Sequence, residues 1–140
     1  MNSTEIKEKT YSILVIGANG IGKSSLIQKL SNSKSDSSIP TLGLSISMDS
    51  FMSSSKKMIT CKYYEINSSF SSMINLIEDS IDAIFFCFST DSINSIKELP
   101  SLIQCVQNIN IKNSSKSGFV FVGTKFDLGI IMSPSDKNQY

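Results

Sequence analysis

The chain contains no arginine, no histidine and no tryptophan, so all thirteen of its basic residues are lysines. Without histidine, imidazole general-base chemistry and histidine metal ligation are excluded. Without arginine, the chain has no guanidinium of its own to stabilise developing negative charge. Charge of either sign is scarce: the formal net charge is +1 and no stretch has more than two consecutive lysines. Nucleic-acid grooves and polybasic membrane anchors need a concentrated positive field, so neither partner is expected. Long hydrophobic runs are missing too. The longest, Ala83 to Phe88, is far too short to cross a bilayer. The start, Met1-Asn2-Ser3-Thr4, resembles no apolar leader, Asn2 is no myristoylation site, and Asn138-Gln139-Tyr140 offers no cysteine for prenylation. A soluble cytoplasmic chain with no direct lipid anchor is therefore expected. Cysteine is limited to Cys61, Cys87 and Cys105, scattered through apolar segments, and these read as buried reduced thiols. Serine alone is abundant, roughly a fifth of the chain, as compositional drift would produce.

With 140 residues, 40% of them hydrophobic, one core and one domain over residues 1–140 are expected. Residues 1–9 read as a loose polar tail. Tyr11 to Ile16 is a short apolar run, as in a central parallel strand, and a helix follows from Lys23 to Leu30. Residues 31–38 carry no apolar side chain and read as an exposed loop. Leu44, Ile46 and Met48 alternate with polar residues, Ser53 to Lys57 makes a turn, and Met58 to Ile66 returns, which predicts an antiparallel hairpin. A short helix is expected over Ser71 to Ser80, with Met73, Ile74 and Ile77 on one face, then an apolar strand from Ile81 to Phe88. Asp91 is positioned to cap a helix carrying Ile93, Ile96, Leu99, Ile103 and Val106, which Pro100 should kink or split. After a polar loop at 113–117, Phe119 to Val122 forms a last strand. Strands alternating with helices predict an α/β sheet that binds its ligand at the carboxyl ends of the strands.

Between the first strand and the first helix lies Gly17-Ala18-Asn19-Gly20-Ile21-Gly22-Lys23-Ser24, a full Walker A phosphate loop. Its glycines let backbone amides turn inward around phosphate oxygens. Lys23 supplies an ammonium for the outer phosphates, and the Ser24 hydroxyl is a hard ligand suited to magnesium, with Ser25 next on the helix. The helix N-terminus adds partial positive charge. Gly17, Asn19, Gly20, Ile21, Gly22, Lys23, Ser24 and Ser25 are thus candidate nucleotide contacts.

A second motif, Val122-Gly123-Thr124-Lys125-Phe126-Asp127, directly follows the last apolar strand. The Asp127 carboxylate suits the paired N–H donors on a guanine edge, which adenine lacks, and the Lys125 stem suits packing along a base. The run resembles the guanine-recognition motif of Ras-like small GTPases, with Thr124 where asparagine is usual. Pro40-Thr41-Leu42-Gly43-Leu44-Ser45-Ile46 resembles the effector-loop motif of the same superfamily. Within it the chain is most similar to the fungal septum-promoting GTPases, through PTLGLSI, AIFFCF with Asn94-Ser95-Ile96-Lys97-Glu98, and VGTKFD.

This resemblance implies a P-loop three-layer sandwich with a mostly parallel sheet and one antiparallel hairpin strand, truncated after the fifth strand, the last strand and helix being absent. It implies a GTP/GDP switch with Mg2+, in which Thr41 ligates the metal and senses the γ-phosphate. Ser24, Thr41 and Glu65 form the metal set, and Thr41 and Glu65 are the candidate switch residues. Implied partners are GTPase-activating and exchange factors and an effector kinase, with a role in septation and recruitment to the spindle pole through those partners. The departures are equally specific. Where the family has Asp-x-x-Gly followed by Gln, this chain has Glu65-Ile66-Asn67-Ser68-Ser69. Ser68 replaces the glycine whose amide meets the γ-phosphate, Ser69 replaces the water-orienting glutamine, and Asn19 adds a side chain beside the phosphates. Slow hydrolysis is expected. The alternative is a pseudo-GTPase, a protein-interaction scaffold that retains the P-loop fold.

Overall fold

The computed structural model describes residues 5–31, 43–107 and 118–128. In chain order it contains β1 (Glu8–Gly17), α1 (Lys23–Leu30), β2 (Leu44–Met52), β3 (Met58–Asn67), a 3-10 segment (Ser68–Leu76), β4 (Ala83–Ser89), α2 (Ile93–Lys97), α3 (Leu99–Val106), β5 (Gly118–Thr124) and a 3-10 turn (Phe126–Leu128). The described strands form one sheet in the order β2-β3-β1-β4-β5. Only β2 runs antiparallel to its neighbour; β3, β1, β4 and β5 are mutually parallel. Their carboxyl ends, Asn67, Gly17, Ser89 and Thr124, therefore emerge on one side of the molecule.

Two cores lie on opposite faces of the sheet, which makes three layers. On one face Leu14, Ile16, Ile66, Ile84 and Phe86 pack against Ile96, Leu99, Leu102 and Val106 of the α2–α3 region and against Ile74. On the other, Val15, Tyr63 and Cys87 pack against Ile21 and Ile27 of the α1 side. Both faces of β1 are covered, which explains why Leu14, Val15 and Ile16 are apolar in succession rather than in alternation. Each such side chain removed from water contributes roughly 1.5–3 kcal/mol, so β1 is firmly anchored and carries the phosphate loop at its end.

Several expectations are corrected. Glu8 and Lys9 belong to β1, not to a loose tail, because β3 is long enough to pair them with Met58 and Ile59. The segment after β3 is 3-10 from Ser68 to Leu76 rather than a helix from 71 to 80; its serines compete for backbone hydrogen bonds, and Asn67 starts the turn by accepting from the Ser69 amide. Ile74 is buried there, while Met73 and Ile77 are half-buried. The residue capping α2 is Ser92, whose side chain accepts from the Ser95 amide, whereas Asp91 accepts from the Ser89 hydroxyl. Pro100 does accompany a break: α2 ends before Glu98, and Pro100 occupies the first turn of α3, where its missing N–H costs nothing. Cys87 is buried and Cys61 half-buried, but Cys105 is exposed, so the three do not form a uniformly buried set. Of the loop expected at 31–38, Ser31 caps the end of α1 and the rest lies outside the described residues, as does the whole loop expected at 113–117.

Among the described residues no helix is long and apolar enough to cross a membrane.

Candidate functional site

The site begins where β1 stops. Gly17 is buried between β4 and the loop: a methyl group on it would lie 2.5 Å from the Cys87 carbonyl oxygen and 2.7 Å from Ile21 Cδ1. Nothing larger fits at that crossing. Gly20 and Gly22 have φ of +73° and +99°, the left-handed conformation that turns successive amides to one side. Gly22 is also the residue before α1, and its carbonyl accepts from the Leu26 amide, so loop and helix are continuous. Ile21 is 4% exposed and plugs the loop onto the α1-side core, leaving Asn19 and Gly20 outermost.

Lys23 opens α1 and is only 5% exposed. Its ammonium donates to the Ala18 carbonyl at 2.6 Å, folded back over the loop. Burial lowers its pKa, opposed by the nearby carboxylates of Glu65 and Glu98. A nearly buried ammonium at a helix start among inward-turned amides is an environment prepared for an anion.

Ser24 follows, and its hydroxyl donates to the Glu65 carboxylate at 2.6 Å. Glu65 lies on β3, 6% exposed, opposite Val15 of β1, so strand register brings two residues 41 positions apart into contact. A hydroxyl oxygen and a carboxylate together are hard oxygen donors of the kind a small divalent cation takes, so the donor set fits magnesium. Ser25 is exposed one position further along the helix. Thr41, the third member of the expected metal set, lies outside the described residues, as do Pro40 and Leu42.

The second loop leaves β5 at Thr124. The Thr124 hydroxyl is directed at the phosphate loop and not outward: it lies against the carbonyls of Ile21 and of Phe88, the latter at 3.1 Å. Thr124 thereby ties the phosphate loop to the ends of β4 and β5. Lys125 takes φ +55° and is exposed, and Asp127 is exposed within the 3-10 turn Phe126–Leu128.

One contributor escaped the sequence reading. Thr90, 8% exposed, donates through its hydroxyl to the carbonyls of Thr124 and Lys125 at 3.0 and 3.1 Å, and its amide also donates to the Thr124 carbonyl. It holds the second loop in shape by backbone contacts that carry no sequence signature. Its only sequence cue is its place immediately after an apolar strand.

Phosphate loop, hydroxyl–carboxylate pair and carboxylate-bearing loop thus converge at the ends of β1, β3 and β5, with the strand order 2-3-1-4-5. A model of the Ras family matches residues 12–136. The chain belongs to the Ras family. Membership makes it a small GTPase of the GTP-binding P-loop type, and regulators and effectors in general follow from it. No curated protein matches the chain significantly.

Proposed function

We propose that this Ras-family chain is a GTP/GDP switch that hydrolyses GTP slowly unaided and acts with partners in cell-cycle and septation control. The observation that carries the switch reading is the Ser24 hydroxyl bonded to Glu65 beside the buried Lys23 ammonium. This arrangement offers a charge for the outer phosphates and hard donors for Mg2+ in one place. Lys23 and the amides of Gly20, Ile21 and Gly22 would hold the phosphates; Ser24, with Thr41 and Glu65, would hold the metal, which when bound neutralises phosphate charge. Asp127 would read the guanine edge, and Thr124 keeps the phosphate loop and the base loop in one frame. The septation role and spindle-pole recruitment rest on the likeness of PTLGLSI, AIFFCF and VGTKFD to the septum-promoting GTPases. Slow hydrolysis rests on Ser68 and Ser69.

The same two serines favour a second reading, a pseudo-GTPase whose nucleotide is structural and whose surface is the product. Competition binding separates these from a non-guanine P-loop protein. GTP should displace a labelled GDP far better than ATP, and Asp127→Asn should shift preference toward xanthine nucleotide, because an amide donor replaces an acceptor oxygen. Equal displacement by ATP and GTP would refute guanine recognition. Indistinguishable surfaces in the GDP and GTP states would favour the scaffold.

A further inference from the structure

A hydroxyl has a single proton to donate, and where β4 and β5 end two threonines spend theirs on backbone carbonyls. Thr124 Oγ1 lies against the Ile21 carbonyl of the phosphate loop and the Phe88 carbonyl of β4, the latter at 3.1 Å. Thr90 Oγ1 lies 3.0 and 3.1 Å from the carbonyls of Thr124 and Lys125. The carbonyls of Ile21, Phe88, Thr124 and Lys125 thus share these two protons, and neither threonine keeps one for a ligand. Packing agrees with the direction of the Thr124 side chain. A methyl group on Gly22 would lie 3.8 Å from Thr124 Cβ and 3.9 Å from its Oγ1, so the side chain rests against the phosphate loop itself. A methyl group on Gly123 would lie 3.1 Å from Phe88 Cζ and 3.3 Å from Thr90 Cγ2, so β4 and β5 are tightly packed where the loop begins.

Guanine offers donors at N1 and at its N2 amine, and acceptors at O6 and N7. A carboxylate only accepts, so Asp127 serves the donors alone. N7 needs a donor from the protein, and Thr124, at the head of the loop, has none left. Its remaining lone pairs accept and do not donate. Lys125 is exposed, and an exposed ammonium is strongly hydrated. No side chain of this loop is therefore committed to N7.

We infer that the site reads guanine through its donors only and takes guanine nucleotides altered at N7 as readily as the unaltered ones. Thr124 is then a strut between the phosphate loop and the base loop and not a reader of the base. The inference rests on the guanine-binding reading and deepens it by naming the class of nucleotide that the site accepts.

The test is displacement of a fluorescent GDP from the full chain with Mg2+ present. The competitors are GDP, 7-deaza-GDP, in which a carbon replaces N7, IDP, which lacks the N2 amine, and ADP. On the wild type, 7-deaza-GDP should compete to within about twofold of GDP, less than the worth of one hydrogen bond. IDP should be weaker by about tenfold or more, because it leaves an Asp127 oxygen without its donor. Thr124→Asn supplies two N–H donors, one for the strut and one for the base, and should make 7-deaza-GDP about three- to tenfold weaker than GDP. Thr124→Val removes the strut's hydroxyl, so it should weaken GDP and 7-deaza-GDP by a common factor and keep the wild-type ratio. A wild type on which 7-deaza-GDP is weaker by about threefold or more, with ADP still excluded, would overturn the inference alone. Thr124→Asn without discrimination would overturn it too, since residue 124 would then not decide the reading of N7. ADP competing as well as GDP would instead overturn guanine recognition, and the inference with it. Where a variant does not fold, the wild-type ratio decides.

Discussion

Lys23 shows at the scale of one residue how the site trades stability for binding. Its ammonium is taken out of water and satisfied in part by the Ala18 carbonyl, with Glu65 the leading source of attraction among the charges around it. Burial lowers its pKa, which means that the unfolded chain holds this proton more tightly than the folded one. The folded state is therefore penalised at neutral pH, and the penalty fades as pH rises toward the ordinary lysine value of 10.5. Lys23→Met keeps much of the stem's bulk and removes the charge. It should stabilise the nucleotide-free chain at neutral pH by about 1 kcal/mol, as removal of a functional burden commonly does. The gain should shrink at alkaline pH, and GTP binding should be lost in calorimetry. A variant that binds GTP normally would show that Lys23 does not face the phosphates. Cys87 illustrates the opposite relation to burial: its thiol is pushed up to about 12, mainly by desolvation, and is chemically inert within the core.

At the scale of elements, the parts readable from the sequence were those whose signals are local. The α1 start followed from the glycine-rich loop, and the β2–β3 hairpin from the alternation of Leu44, Ile46 and Met48 with polar residues ahead of a polar turn, although Ile46 and Met48 are exposed and not half-buried as that period implies. Uninterrupted apolar residues marked β4. The parts not readable depend on distant partners. Glu8 and Lys9 are strand only because β3 offers a pairing edge, and Thr90 matters only because the Thr124 and Lys125 carbonyls happen to lie above it. The segment after β3 misled because Met73, Ile74 and Ile77 have helical spacing, while Ser68, Ser69, Ser71 and Ser72 and the Asn67 cap tighten it to 3-10. That local geometry bears on repair of the catalytic machinery. Placing glutamine at Ser69 alone adds the missing side chain to a turn whose Ser69 amide is already bonded to Asn67, next to a Ser68 still lacking the glycine conformation. Ser69→Gln should therefore raise single-turnover hydrolysis far less than the roughly 10²–10³ that one correctly placed catalytic donor supplies. A gain of that full size would show that the segment already has the geometry of a competent second switch.

The whole molecule sets the limit on catalysis. Phosphoryl transfer depends on positioning and on stabilising charge that spreads over the transferring group. This chain brings a lysine, a hydroxyl and a carboxylate to one end of its sheet, which suits binding and metal retention. It contributes no arginine and no histidine anywhere in its length, and no glutamine from Asn67 to Leu76. Its surface charge is nearly balanced, so long-range steering of an anion is weak and affinity must come from the phosphate loop itself. A guanidinium supplied by a GTPase-activating partner is worth about 10³–10⁵ in rate, more than any rearrangement of the residues present. The isolated chain should accordingly turn over bound GTP at about 10⁻⁴–10⁻³ s⁻¹ or slower, the unaided range for this chemistry. A single-turnover assay on the purified chain with Mg2+ checks this, and an activating partner that carries an arginine should accelerate it while its arginine-to-alanine variant should not. Rapid hydrolysis by the chain alone would mean that one of its own groups orients the water. Glu98 would then be the first residue to replace, since one of its carboxylate oxygens is buried with no hydrogen-bond partner among the described residues and its charge is felt at Lys23.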